Sequence, residues 1–215
     1  MRLLTTGLAL GACLTMAACA SSGPKYNADQ CASIDWHAMG VADGQKGENP
    51  TALNDEISQC SAFGVSVDKE QYNAGREEGL KTYCQPSVLI DATVQSVGDP
   101  FSCQPFTDVQ KSAFETGRDT KAAVARYQQF KAQYDQLLQA KEQINTEGNQ
   151  LTARYQQTQD ETTRNQIKQR IQYLREQLQL VNAKLEEADP TMKTEEAAYQ
   201  GAVKSYEAFK AGLAQ

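Results

Sequence analysis

The chain has 215 residues and a formal net charge of −6, with 22% charged and 40% hydrophobic residues, one histidine and six cysteines. That length allows one domain of ordinary size with an appendage, or two small domains. An acidic chain without a basic stripe is poorly matched to a phosphate backbone, so nucleic acid is not expected among its partners.

At the N-terminus Arg2 precedes an uncharged, mostly apolar stretch from Leu3 to Met16, then Ala17, Ala18 and Cys19. Basic end, apolar stretch and small residues are the order of a signal peptide, and this apolar stretch is shorter than the roughly 20 residues that span a bilayer. A cysteine directly after the small residues resembles a lipoprotein signal. The resemblance implies cleavage after residue 18 and acylation of Cys19, making residues 1–18 the signal and Cys19 the lipid anchor to the membrane. Such boxes usually carry Leu three places before the cysteine, where Met16 stands. Leu10-Gly11-Ala12-Cys13 is a rival, but its apolar stretch is very short and it leaves five later cysteines, an odd set. An ordinary secretory signal cut near Ala18 or Ala20 is a further alternative. Ala20, in place of Asp, resembles the outer-membrane default of Gram-negative lipoproteins, so the expected location is the periplasmic face of that membrane. Residues 19–30, rich in small and polar types, read as a flexible tether.

Residues 31–106 read as a Cys/Gly-rich helical domain. Export makes Cys31, Cys60, Cys84 and Cys103 most simply two disulfides. Three pairings are possible. Cys31–Cys60 with Cys84–Cys103 is preferred, because each closes a loop of modest length beside one aromatic–glycine helix. No C-x-x-C occurs and His37 stands alone, so neither a metal, a redox centre nor any cofactor is expected. Charge is uneven: residues 20–119 hold 7 Lys/Arg against 15 Asp/Glu, whereas residues 121–189 hold 10 against 9.

An aromatic residue followed by glycine recurs three times in this region. Trp36 precedes Gly40 and Gly44, Tyr72 precedes Gly75 and Gly79, and Phe114 precedes Gly117. Four-residue spacing sets each glycine pair on one helix face. Every interior glycine costs a helix about 1 kcal/mol against alanine, so a flat face for close backbone approach is the expected return. Trp36, Gly40, Gly44, Tyr72, Gly75 and Gly79 are therefore a candidate binding face. Close packing of short helices is the plainer reading and the preferred one. No nucleophile–base–orienter spacing can be traced, so no enzymatic activity is expected.

These residues also carry a family resemblance. The pattern C…DW-x-x-x-G-x-x-DG-x-x-G, then C, then Y-x-x-G-x-x-x-GL-x-x-YC-x-P and a last C resembles the domain of unknown function 2799 family of proteobacterial envelope lipoproteins. The likeness runs from Cys31 to Cys103, about a third of the chain, and is densest from Tyr72 to Pro86. The loop from Ser87 to Cys103 departs from the family's glycine-rich run, keeping Gly98 and carrying Phe101 in place of tyrosine. The resemblance implies location and architecture, and no activity.

After Pro105 the sequence turns helical. Thr107-Asp-Val-Gln110 resembles a capping box, and no proline follows until Pro190. Val124, Tyr127, Phe130, Tyr134, Leu137, Ile144, Leu151 and Tyr155 step by three and four or by whole heptads, as do Ile167, Ile171, Leu174, Leu178, Val181 and Leu185. A turn at Gly148 would oppose Leu137 to Thr158, whereas a turn near residue 160 opposes Ile144 to Leu174–Leu178 and Leu151 to Ile167–Ile171. Burial of each Leu or Ile, roughly 1.5–3 kcal/mol, outweighs the one interior glycine, about 1 kcal/mol. We therefore expect a coiled-coil hairpin over residues 107–189, turning near 160 with Thr158–Glu161 capping the second arm. One uninterrupted helix pairing with another molecule is the alternative. Asp189-Pro190 is expected to break the helix, leaving a last amphipathic helix over 190–215 through Val203, Tyr206, Phe209 and Leu213.

The expected fold class is thus all-α: a small disulfide-stapled helical domain, a long antiparallel helical hairpin and a last helix. Two functions follow. The preferred one is a non-catalytic interaction or scaffold protein whose hairpin reaches an envelope protein partner. The alternative is a small-molecule or cell-wall-polymer binding module on the Cys/Gly-rich segment.

Overall fold

A computed structural model describes residues 25–214. The expected signal peptide, Cys19 and the first half of the expected tether lie outside the described residues. Among the described residues the chain is all α-helix and short 3-10 turns, without a strand. The helices are α1 (Ala28–Ser33), α2 (Trp36–Lys46), α3 (Leu53–Ser61), α4 (Lys69–Tyr83), α5 (Pro86–Gln95), α6 (Asp108–Gln157) and α7 (Glu161–Leu213). They fall into two compact units.

The first unit holds residues up to Ile34 together with Leu53–Val67. Its core is the Cys31–Cys60 disulfide between α1 and α3, with both cysteines buried. The second half of the expected tether is not free. Asn27 caps α1 through a capping box with Gln30, and the backbone N–H groups of Lys25 and Tyr26 donate to Gln59 Oε1 at 2.7 and 3.3 Å. Lys25 Nζ donates to the buried Glu56 carboxylate at 2.6 Å.

The second unit holds Asp35–Ala52 and Asp68–Gln215. The segment 31–106 is therefore shared between two units rather than forming one domain. Residue 107 is an element boundary and not a domain boundary: Thr107 and Gln110 form the expected capping box, but Ala113, two turns into α6, is fully buried in the core with Leu89 and Ile90 of α5. The stretch expected as a loop from Ser87 to Cys103 contains α5, with Pro86 at its first turn and Leu89 and Ile90 buried. Proline suits that position, because its missing N–H is one that a helix start leaves unbonded anyway.

The hairpin turns where the apolar steps require. Thr158 ends α6 and Asp160 starts α7, its carboxylate accepting from Thr163 N–H. Ile144 and Gly148 share one cleft with Ile171, Leu174 and Leu178, and Arg170 bridges to Glu147 at 2.7 Å. The capping role expected of the whole Thr158–Glu161 stretch belongs to Asp160 alone.

The expected break at Asp189-Pro190 does not occur. α7 passes through Pro190 to Leu213, so the expected last helix is its C-terminal half. An interior proline costs about 3 kcal/mol by losing one hydrogen bond and crowding the preceding turn. Contacts to α6 on both sides hold the helix in line. Tyr134 donates to Asp189, Arg126 pairs with Glu195 at 3.4 Å, and the Tyr127 and Tyr199 rings stack at 4.8 Å. Pro190 itself lies on the exposed side, where water can reach the carbonyl it leaves unbonded.

Gly148 sits inside α6 with nothing within 4 Å of where a side chain would begin. Gly148→Ala should therefore raise stability by about 1 kcal/mol through helix propensity alone. Thermal denaturation reads the sign, and a lowered midpoint would contradict the position of the turn.

Candidate functional site

The glycine faces meet each other. A β-carbon on Gly40 would lie 2.1 Å from Tyr72 O, one on Gly44 2.3 Å from Arg76 O, one on Gly75 2.0 Å from His37 O and one on Gly79 2.2 Å from Val41 O. α2 and α4 thus touch backbone to backbone along their length. Trp36 and Tyr72 are buried with them, and Tyr72 Oη donates to Asp43 at 2.9 Å. The candidate binding face is a packing face, and the glycines leave no groove between the two helices. The third glycine repeats the device: a β-carbon on Gly117 would lie 2.9 Å from Ile90 O, so α6 lies close on α5. His37 is half-exposed and faces Glu78 at 3.5 Å.

The cysteines pair as preferred, Cys31 with Cys60 and Cys84 with Cys103. The second bond ties the end of α4 to the turn at Pro100–Cys103, beside the stacked Phe106 and Phe114. Among the described residues no group of three or more His, Cys, Asp or Glu is placed to hold a metal ion, and no helix is long and apolar enough to cross a membrane.

Two features that sequence reasoning missed fix the base of the hairpin. Tyr83 is buried between Gly47 and Gly98, both left-handed at φ +67° and +69°, and donates to Val97 O at 2.9 Å. Burial, aided by the Asp99 charge, pushes its hydroxyl up to about 12. Asp91 on α5 accepts from Tyr206 and from Lys210 Nζ at 2.8 and 3.0 Å, pinning the end of α7 to α5. Burial alone would raise the Asp91 carboxyl, but the Lys210 and Tyr206 hydrogen bonds outweigh it and hold it low, while Asp91 in turn lifts Lys210 to about 12. The signal available in the sequence was Pro86-Ser87 followed by Val88-Leu89-Ile90, a helix start ahead of an apolar turn.

The neutral Tyr83 ring contributes fully below the ordinary tyrosine value near 10, and that contribution is lost as pH rises through about 12. The protein should therefore lose stability across that interval, and Tyr83→Phe should lose less. At neutral pH the same substitution should cost about 1 kcal/mol for the hydrogen bond to Val97. Denaturant midpoints of both proteins from neutral to strongly alkaline pH measure the two effects.

What the second unit offers outward is the hairpin. α6 and α7 have 50 and 53 residues, about 75 Å each at 1.5 Å per residue. Their first and last turns respectively are fixed on α5, so the Thr158–Asp160 turn lies far from that base.

Residues 35–119 match the family described as Protein of unknown function (DUF2799). The match begins at Asp35, beyond Cys31, and runs into α6, so it covers the helices that build the hairpin's base. No curated protein and no solved structure matches the chain.

Proposed function

We propose that this chain, whose residues 35–119 form a segment of that family, is a lipid-anchored, non-catalytic interaction protein of the Gram-negative envelope. Its anchor is acylated Cys19 on the periplasmic face of the outer membrane, and its working part is the α6–α7 hairpin, which reaches a protein partner. The observation that supports this reading is the hairpin itself: two continuous helices, a three-residue turn and a base fixed by the Asp91–Tyr206–Lys210 cluster. A rigid arm of this kind presents its far end at a set distance from whatever holds its base.

The anchor is tested by replacing Cys19 and, separately, Cys13 in cells. Cys19→Ala should leave uncleaved or mislocalised precursor, read by membrane fractionation and intact mass, while Cys13→Ala should mature normally. A matured, membrane-bound Cys19→Ala protein would sink the anchor assignment. The arm is tested by deleting residues 137–150 and 168–181 together, two heptads from each helix. The deletion keeps register, base and turn but shortens the reach by about 21 Å. Partner capture in cells should fall, and capture unchanged by the deletion would remove the role given to length.

A further inference from the structure

In the first unit α3 is followed by an exposed turn. Phe63 is 44% exposed there, and the chain from Ile57 to Val67 carries no charge. The turn satisfies its own backbone. Phe63 N–H and Val65 N–H both donate to Cys60 O at 3.1 Å, and Gly64 N–H donates to Ser61 O at 3.0 Å. Cys60 is itself held by its disulfide to Cys31. Gly64 is left-handed at φ +73°, with nothing within 4 Å of where a side chain would begin. An uncharged turn whose amides are already bonded leaves water at far lower cost than one with free donors or an acid. The chain that precedes the unit arrives at the same end of α3. Lys25 and Tyr26 donate their backbone N–H groups to Gln59, in the last turn of α3, and the Lys25 side chain runs back to Glu56. Phe63 follows Gln59 by one helical turn's worth of sequence. Residues 20–24 alone separate Lys25 from Cys19, and that much chain spans at most about 21 Å.

We propose that the Phe63–Val65 turn inserts into the phospholipid leaflet that holds acylated Cys19. The proposal rests on the Cys19 anchor put forward above. The tether selects the occupant. With Lys25 clamped on α3, the leaflet lies within a short reach of this turn whatever else the protein binds. Insertion from an anchored chain is an intramolecular event, so one aromatic side chain suffices where it would not hold the protein from solution. Acids would be repelled by anionic headgroups and are costly to bury, and the sequence from Ile57 to Val67 contains none. The lipid thus supplies the attachment, and the turn fixes which end of the first unit faces the membrane.

The test uses the full mature chain, purified from cell membranes, in phosphatidylethanolamine–phosphatidylglycerol vesicles with acyl chains brominated near the headgroup. The native protein reports only Trp36, its one tryptophan, which is buried. Phe63→Trp adds a reporter in the turn. Its emission should shift to the blue, and the bromines should quench it well beyond the native signal. Both proteins should float with the vesicles. A floating Phe63→Trp chain quenched no more than the native one would overturn the insertion and leave the anchor standing. A chain that does not float has no anchor, and the proposal falls with it. In cells, a photo-crosslinker at Phe63 should give a phospholipid adduct, and a discrete protein adduct in its place would overturn the choice of occupant.

Discussion

Gly40→Ala should destabilise the second unit by about 2 kcal/mol, although alanine is the better helix former. Propensity alone favours the substitution by about 1 kcal/mol. The new β-carbon, however, would sit 2.1 Å from Tyr72 O and 2.8 Å from Arg76 N. Both are backbone atoms of α4, so no side chain can rotate away and the helices must part. Overpacking that displaces backbone costs about 1–3 kcal/mol, occasionally more, and here it also loosens the fit around buried Tyr72 and Tyr83. Gly79→Ala, with Val41 O at 2.2 Å, should behave alike. Gly148→Ala is the internal control of opposite sign. Thermal midpoints of the three variants check the claim, and a stabilised Gly40→Ala protein would contradict the backbone contact.

Removing the Cys31–Cys60 bond should have the largest local effect. α1 has 6 residues and α3 has 9, and isolated helices shorter than about 12–15 residues are marginal in water. Among the described residues of this unit the buried apolar ones are Cys31, Leu53 and Cys60, so the covalent link is the main contact there that opposes unfolding. The bond closes a separation of 29 residues, which in the chain-entropy model is worth about 3 kcal/mol or slightly more. Cys31→Ser with Cys60→Ser should expose the α1 and α3 amides to rapid hydrogen exchange while α4 to α7 stay protected. Protection of α1 and α3 unchanged in the double variant would show that other contacts hold the unit.

These outcomes bear on how far the fold could be read from residue order. The hairpin register was legible, because Ile144, Leu151, Ile167 and Leu174 repeat at one period and only one turn position pairs them. The Thr107 cap followed from local spacing, whereas the cysteines allowed three pairings and the structure selects the one preferred for its short loops. What misled was local chemistry overruled by distant contacts. Pro190 reads as a break, yet Tyr134, Arg126 and Tyr127 of α6 hold both sides of it in one helix. α5 was hidden because β-branched Val88, Ile90, Thr93 and Val94 have modest helix propensity, and only burial against α6 selects the helix. Of the candidate binding face, the glycine spacing was legible but its use was not. Equal spacing serves a ligand groove or a second helix, and only the Tyr72 and His37 carbonyls lying against it decide for the helix.

The central claim is that the far end of the hairpin makes the contact with a partner, and photo-crosslinking from single positions in intact cells tests it most directly. A crosslinker at Gln156, beside the hairpin turn, should yield one discrete adduct to an envelope protein, and a crosslinker at Gln95, at the base, should yield none. An adduct from Gln95 with none from Gln156 would contradict the account.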